Sequence, residues 1–396
     1  MAIKKDTAVT RGGRDSVRFE GAVNPPVYRA STIAFESVED LDAAWARRFD
    51  RPYYGRYGTV STLALEQALA AAEGAEHAVV TASGMGAIAG TLLAILRPGD
   101  HLLMADTVYQ PARDFCDTHL ARFGVATTYY DPRAGEGLRH LIRPETRVVY
   151  CESPGSLTFE VQDIPALSRV AREAGALVVM DNTWASPLGF PALERGVDIA
   201  IQSCTKYIVG HSDAMLGSAA LNDRGLYERI KETLCSFGYA CGSEEAFLGL
   251  RGLRTLSVRL ERHMRNALEV ARWLETRDEV ERVLYPPLES DPGHALWGRD
   301  FTGAGGLMGV MLKPAPAAAV RHMVDGLSLF SLGFSWGGYE SLALVTTGHI
   351  RRTAVPWTYS GPVLRLHIGL EDPQDLILDL ERGLARLRDA QAHGKG

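Results

Sequence analysis

The sequence predicts an α/β protein: a large domain built on a mostly parallel sheet, followed by a smaller C-terminal α/β domain. Two observations carry this. From about residue 61, strand-like and helix-like segments alternate, as they do when helices cover both faces of a sheet. Leu177–Met180 and Ile199–Ser203 are apolar runs without polar alternation, the pattern of strands buried on both faces. A change of texture near residue 250 separates the second part.

Residues 1–60 show no sustained period and are rich in Gly, Pro, Arg and Tyr (NPPVYRAST, RPYYGRYGT). They read as an extended arm with a short helix over VEDLDAAWARRF, an arm that packs on a neighbouring subunit. Ser61 or Thr62 is the expected cap of a helix through Ala72, which Gly74 stops. His77–Ala82 is a strand and Gly84–Leu96 a helix. Arg97-Pro98-Gly99-Asp100 makes a turn. His101–Ala105 is a strand, Pro111–Phe123 a helix, Ala126–Tyr130 and Arg147–Cys151 strands, and Ile164–Ala174 a helix. Leu177–Met180, Ile199–Ser203 and Gly217–Leu221 complete the sheet. The large domain runs over 61–250 and the C-terminal domain over 251–396. The latter begins with a long helix, Ser257–Glu275. Gly306–Leu312 and Val363–Gly369 are its strands, Ala317–Gly326 and Pro373–Leu387 its further helices.

Composition narrows the function. The 396 residues are 46% hydrophobic and 23% charged, enough apolar surface to fold. The net charge of -6 carries no basic excess for nucleic acid. No apolar run is long enough to span a bilayer, and the N-terminal lysines precede no apolar segment of a secretory signal. The five scattered cysteines suit reduced thiols in a cytoplasm, and without a CxxC pair no metal site is expected.

Three features can carry chemistry. Ser83-Gly84-Met85-Gly86 follows a strand and opens a helix, whose free N–H groups suit an anion. The GxGxxxG spacing also mimics a dinucleotide fingerprint, with Asp106 where a ribose-binding acid would stand; a glycine-rich turn for close packing remains open. Asp181 ends a buried strand, where α/β ligand sites form, and can hold a cation, a protonated ring nitrogen or simply its own turn. Lys206, in Ser203-Cys204-Thr205-Lys206, follows an apolar strand; burial lowers a lysine's pKa and makes a Schiff-base nucleophile. Together they supply what a pyridoxal phosphate (PLP) enzyme needs. A nicotinamide-dependent oxidoreductase would explain the first feature only. Tyr109 can stack on a cofactor ring, and Tyr54 and Arg56 can bind phosphate across a subunit boundary. Arg365, a charge inside an apolar strand, needs a substrate carboxylate or a structural salt bridge. His211 and His367 read as core histidines.

The segments SGMGAI, DNTWASP, SCTKYIVGHSDAM, FSWGGYESL and LRLHIGLED resemble the Cys/Met-metabolism PLP enzymes, and the similarity runs from YGRYGT to the C-terminal helix. The resemblance implies fold type I, the aspartate aminotransferase-like architecture, and a homotetramer formed as a dimer of dimers. It implies that Lys206 is the Schiff-base lysine, that Asp181 holds the pyridine nitrogen protonated and that Tyr109 stacks on the ring. Gly84, Met85, Ser203 and Thr205 would bind the phosphate, with Tyr54 and Arg56 from the neighbour. Arg365, Ser335 and Trp336 would bind the substrate, and Tyr54 would also touch it. Trp336, where γ-acting members usually carry leucine, points to β-elimination of cystathionine to homocysteine, pyruvate and ammonia. Two departures leave the substrate open. Tyr57 stands where an arginine is common, and Cys235 replaces a tyrosine near the site. A broader cysteine-S-conjugate β-lyase, or a related enzyme with alanine racemase activity, is the alternative.

Overall fold

The apolar runs of the middle region do assemble into one sheet. The computed structural model describes residues 3–393, so the outermost residues of the assigned arm and C-terminal domain lie outside the described residues. The strands are β1 (His77–Thr81), β2 (His101–Ala105), β3 (Ala126–Tyr130), β4 (Thr146–Glu152), β5 (Leu177–Asp181), β6 (Ile199–Gln202) and β7 (Gly217–Leu221). Their spatial order is β1-β7-β6-β5-β4-β2-β3. β3, β2, β4, β5 and β6 run parallel to one another, while β7 runs antiparallel to both β1 and β6. The exception has a local cause. No helix intervenes between β6 and β7, and a parallel return needs a crossover connection, usually a helix.

The helices in chain order are α1 (Lys5–Arg11), α2 (Val38–Ala46), α3 (Val60–Glu73), α4 (Gly84–Ile95), α5 (Gln110–Phe115), α6 (Ile164–Glu173), α7 (Ser186–Gly189), α8 (Arg224–Ser236), α9 (Ser243–Leu253), α10 (Leu256–Glu275), α11 (His294–Asp300), α12 (Ala317–Asp325) and α13 (Pro373–His393). The cap of α3 is Thr59 rather than Ser61 or Thr62. Its side chain accepts from the Thr62 backbone, while Thr62 Oγ1 accepts the Thr59 N–H at 2.7 Å. Gly74 ends α3 in the left-handed conformation (φ 72°). The helix expected over 111–123 continues from α5 through a π-helical turn, Cys116–Leu120. No separate expectation covered α8 or α9.

The second sheet holds β8 (Val280–Leu284), β9 (Leu307–Leu312), β10 (Ser331–Leu332), β11 (Leu342–Val345) and β12 (Val363–His367), in order β10-β11-β12-β9-β8. It is antiparallel except for β10 with β11. α10 and α12 pack with α13 beside it. Among the described residues no helix is long and apolar enough to cross a membrane.

Candidate active site

Open parallel sheets bind ligands beyond the carboxyl ends of their strands. β4, β5 and β6 end at Glu152, at Asp181 and just before Ser203. The N-terminus of α4 and the turn 334–336 close the same cleft, a cavity of about 390 Å³. Ser83 caps α4, its side chain accepting the Gly86 N–H at 3.0 Å. That leaves the earlier N–H groups of the first turn free of helical partners. Gly84 must be glycine here, because a Cβ would lie 2.6 Å from Ser203 Cβ and Oγ. Backbone and hydroxyl thus form a cradle that a side chain would fill.

Asp181 is buried. Its Oδ1 accepts the Thr183 N–H at 3.0 Å, and Thr183 Oγ1 in turn accepts the Ser203 N–H at 2.8 Å. Burial raises its carboxyl above the ordinary value, against the Thr183 hydrogen bonds and the charge of Lys206. Lys206 Nζ donates to Ser335 Oγ at 2.7 Å and lies 5.4 Å from the Trp336 ring centroid. Burial and then the Arg365 charge bring its amine down from 10.5 to about 8, against the pull of Asp181. Arg365 Nη2 donates to the Ser335 carbonyl at 3.0 Å. No salt bridge joins Arg365 to a carboxylate among the described residues, so the salt-bridge explanation of this charge falls away. Tyr109 lines the cleft with 45% of its surface exposed.

The lowered lysine gives a measurable pH dependence. Only the neutral amine is a nucleophile. Arylation of Lys206 in the apo chain by 1-fluoro-2,4-dinitrobenzene, a reagent that does not itself titrate, is therefore expected to rise with pH and reach half its limiting rate near pH 8, the value to which its amine is lowered. Peptide mass spectrometry follows it, and a midpoint near 10.5 would remove the burial argument.

The cleft collects Gly84, Met85, Tyr109, Asp181, Ser203, Thr205, Lys206, Ser335, Trp336 and Arg365 from the expected set. Thr205 arrives with its hydroxyl engaged, donating to the Leu216 carbonyl (3.1 Å) and accepting the Leu216 N–H (2.9 Å). Tyr54 and Arg56 are not brought to this cleft in their own chain. They line a surface groove with Phe35 and Trp45, and Arg56 donates to the Cys235 carbonyl at 2.7 Å. Tyr57 and Cys235 also lie away from it; Tyr57 is buried and donates to Glu232 at 3.1 Å.

Glu152 was missed. It stands in register with Asp181 on the adjacent strand, and its Oε2 accepts the Tyr109 N–H at 2.6 Å. Burial and the charge of Asp181 push its carboxyl well above the usual carboxylate range. The rule that singled out Asp181, an acid at a strand's carboxyl end, applies to it equally. Asp106 does not serve a ribose. Its carboxylate pairs with buried Arg113 at 2.9 Å and accepts the Thr353, Ala354 and Val355 N–H groups. His211 lies 2.6 Å from the Val209 carbonyl, and His367 is buried against Gly337 and Gly338. Among the described residues no cluster of three metal-ligating side chains occurs.

A family profile described as Cys/Met metabolism PLP-dependent enzyme matches residues 6–385. The chain belongs to that family. Pyridoxal phosphate is accordingly its cofactor. The residues fit it: a glycine-opened helix terminus and Ser203 for a phosphate, a buried acid, and a lysine with a depressed pKa in one cleft. The chain is 42% identical to a cystathionine beta-lyase of Escherichia coli K12, over 98% of this chain and 100% of that one. It is 37% identical to an L-alanine/L-glutamate racemase of Wolbachia pipientis, over 97% and 98%. A solved cystathionine gamma synthase of Xanthomonas oryzae, in complex with cystathionine, superposes with a TM-score of 0.90 at 34% identity, covering 98% of this chain and 100% of that one.

Proposed function

We propose that this protein cleaves cystathionine by β-elimination, giving homocysteine, pyruvate and ammonia. The observation that carries the reading is the double use of Ser335. Its hydroxyl holds the Lys206 amine and its carbonyl holds the Arg365 guanidinium, so a base and a carboxylate clamp share one wall of the cleft.

The cofactor, when bound, supplies the electron sink for charge that develops at the substrate's Cα. Arg365 binds the substrate α-carboxylate through its guanidinium fork. The neutral Lys206 amine takes the Cα proton and returns a proton to the departing sulfur. The Cα–H and Cβ–S bonds break, an S–H bond forms, and water hydrolyses the released enamine to pyruvate and ammonia. Asp181 would hold the pyridine nitrogen protonated. Gly84, Met85 and Ser203 would hold the phosphate, joined by Thr205 only once its hydroxyl leaves the Leu216 carbonyl, Tyr109 would cover the ring, and Trp336 would keep water from the amine.

Tyr54 and Arg56, away from their own cleft, complete the phosphate site of a neighbouring copy in a homotetramer built as a dimer of dimers. Residues 1–60 then serve as the arm, 61–250 as the cofactor domain and 251–396 as the C-terminal domain. Five free thiols, four of them buried, suit a cytoplasmic protein.

The test uses purified PLP-loaded enzyme and L-cystathionine. Pyruvate and homocysteine in equal amounts are expected; cysteine with 2-oxobutyrate would mean γ-cleavage and sink the reading. One observation favours a second reading, a broader cysteine-conjugate lyase or an alanine racemase. Tyr57, away from its own cleft and tied to Glu232, would offer no cation to cystathionine bound in a neighbouring copy. Equal kcat/KM for S-alkyl cysteines and cystathionine, or racemisation of alanine as the faster reaction, would favour it.

A further inference from the structure

Residues two apart in a strand share a face. Arg365 and His367 are such a pair in β12, and both reach the turn 335–338. Arg365 takes the Ser335 carbonyl at one end. At the other, His367 Nε2 lies 3.1 Å from the Gly337 nitrogen and 3.1 Å from the Gly338 oxygen.

The turn they grip bears directly on Lys206. Gly337 has φ 89°, and a Cβ there would come within 2.8 Å of the Lys206 carbonyl carbon. Ser335 has φ 76°, a left-handed conformation that is strained for a non-glycine residue. Such a conformation persists only where the surroundings impose it. The Trp336 ring centroid lies 5.4 Å from the Lys206 amine and 5.4 Å from the Tyr207 ring centroid.

The protonation of His367 follows from its neighbours. Burial first, then His263, hold its pKa well below the ordinary value against the pull of the Gly338 carbonyl, with Arg365 and Lys206 adding to the fall, so one ring nitrogen carries a hydrogen and the other does not. His263 Nδ1 lies 2.8 Å from the Ile368 carbonyl, which only accepts; its hydrogen is therefore on Nδ1 and its Nε2 is an acceptor. His263 Nε2 and His367 Nδ1 are both buried without a hydrogen-bond partner, on rings whose centroids are 5.2 Å apart. They do not bond each other, so the tautomer is set at His367 Nε2, which can serve only one of its two neighbours: the Gly337 N–H can only donate and the Gly338 carbonyl can only accept. An orphaned buried N–H is rarer than an under-satisfied carbonyl, so His367 Nε2 accepts the Gly337 N–H and the hydrogen sits on Nδ1.

We infer that His367, as its Nδ1–H tautomer, is a positioning residue that holds the turn 335–338 against Lys206, setting the Ser335 contact with the amine and the Trp336 wall beside it. The kinetic part rests on the reading of Lys206 as the proton-transferring amine; the tautomer does not.

The experiment uses the full-length PLP-loaded protein, wild type, His367→Gln and His367→Leu. In ¹⁵N-labelled wild type, the imidazole signal that vanishes in His367→Gln is expected to show a protonated Nδ1 and a bare Nε2. The opposite tautomer, or an imidazolium, overturns the inference. His367→Leu is expected to lose about tenfold or more in kcat with KM within about threefold, a small displacement at a reacting group being costly. Gln can place an acceptor near the Nε2 position, and is expected to recover kcat to within about threefold of wild type. Equal losses in both variants, or none in Leu, overturn it. Should His367→Leu not fold, the Gln kinetics and the spectrum still decide. A wild type that cleaves no sulfur amino acid ends the functional reading, while the ring spectrum still decides the tautomer.

Discussion

Lys206→Ala is expected to lower kcat on cystathionine by at least about 10³-fold, since in the proposed mechanism one side chain serves both as the cofactor's attachment and as the base. The fold should survive. Nζ makes one hydrogen bond, to Ser335, and its amine is pulled down to about 8. The sign is explicit. Between pH 8 and the unfolded value of 10.5 the unfolded chain binds more protons, so the lysine's contribution to stability rises with pH there and is unfavourable below. Removing it relieves that cost at neutral pH. The apo variant should therefore melt at the wild-type temperature or above it, as calorimetry can check. Added methylamine should restore part of the turnover, because it replaces the base without the tether. Undiminished turnover without added amine would end the mechanism.

Which parts could be read from the sequence follows from how local their causes are. Lys206 and Asp181 were visible because a buried strand's end is a local pattern, and because α/β topology places such ends side by side. Glu152 obeys the same rule and was accessible. The antiparallel β7 was less so, since its direction depends on the absence of a crossover helix between 203 and 216. β8 places charged Glu281 and Arg282 side by side, which breaks the period of two, and is only five residues long, so no strand pattern stands out. The contact of Lys206 with Ser335 spans 129 residues, and the clip of Asp106 on Thr353 spans 247. No window of sequence contains both members of either pair. Asp106 shows how this misleads: its spacing from the glycine loop imitates a nucleotide site, while its five hydrogen-bonding partners lie on Arg113 and a distant loop. Tyr54 and Arg56 are a different case. The motif singles them out, yet their own chain turns them elsewhere, so the phosphate role proposed for them needs a second copy.

Asp181→Asn is expected to separate charge from shape. The side chains are nearly isosteric, and asparagine's Oδ1 can still accept the Thr183 N–H that Asp181 now accepts at 3.0 Å. What disappears is the negative charge. Burial already raises this carboxyl above its ordinary value, so ionising it costs the folded apo chain free energy. A carboxyl with a raised folded pKa adds stability at low pH, and that stability is lost as pH rises through the folded value. Asn does not titrate. The apo variant should therefore equal or exceed wild-type stability at pH 8, with the difference shrinking toward pH 4. Activity should move the other way. A buried carboxylate paired with a protonated ring nitrogen is a charge-assisted bond, and removing one partner of such a pair costs about 2–5 kcal/mol. That corresponds to a fall in kcat of roughly 30- to 5,000-fold, with KM for cystathionine expected to move far less if Arg365 holds the carboxylate as proposed. Single-turnover exchange of the Cα proton with solvent should slow by the same factor, since that is the step the pyridine proton assists. A variant that melts as predicted but exchanges its Cα proton at the wild-type rate would leave Asp181 a structural acid and return the search to its neighbour across the strand pair, Glu152.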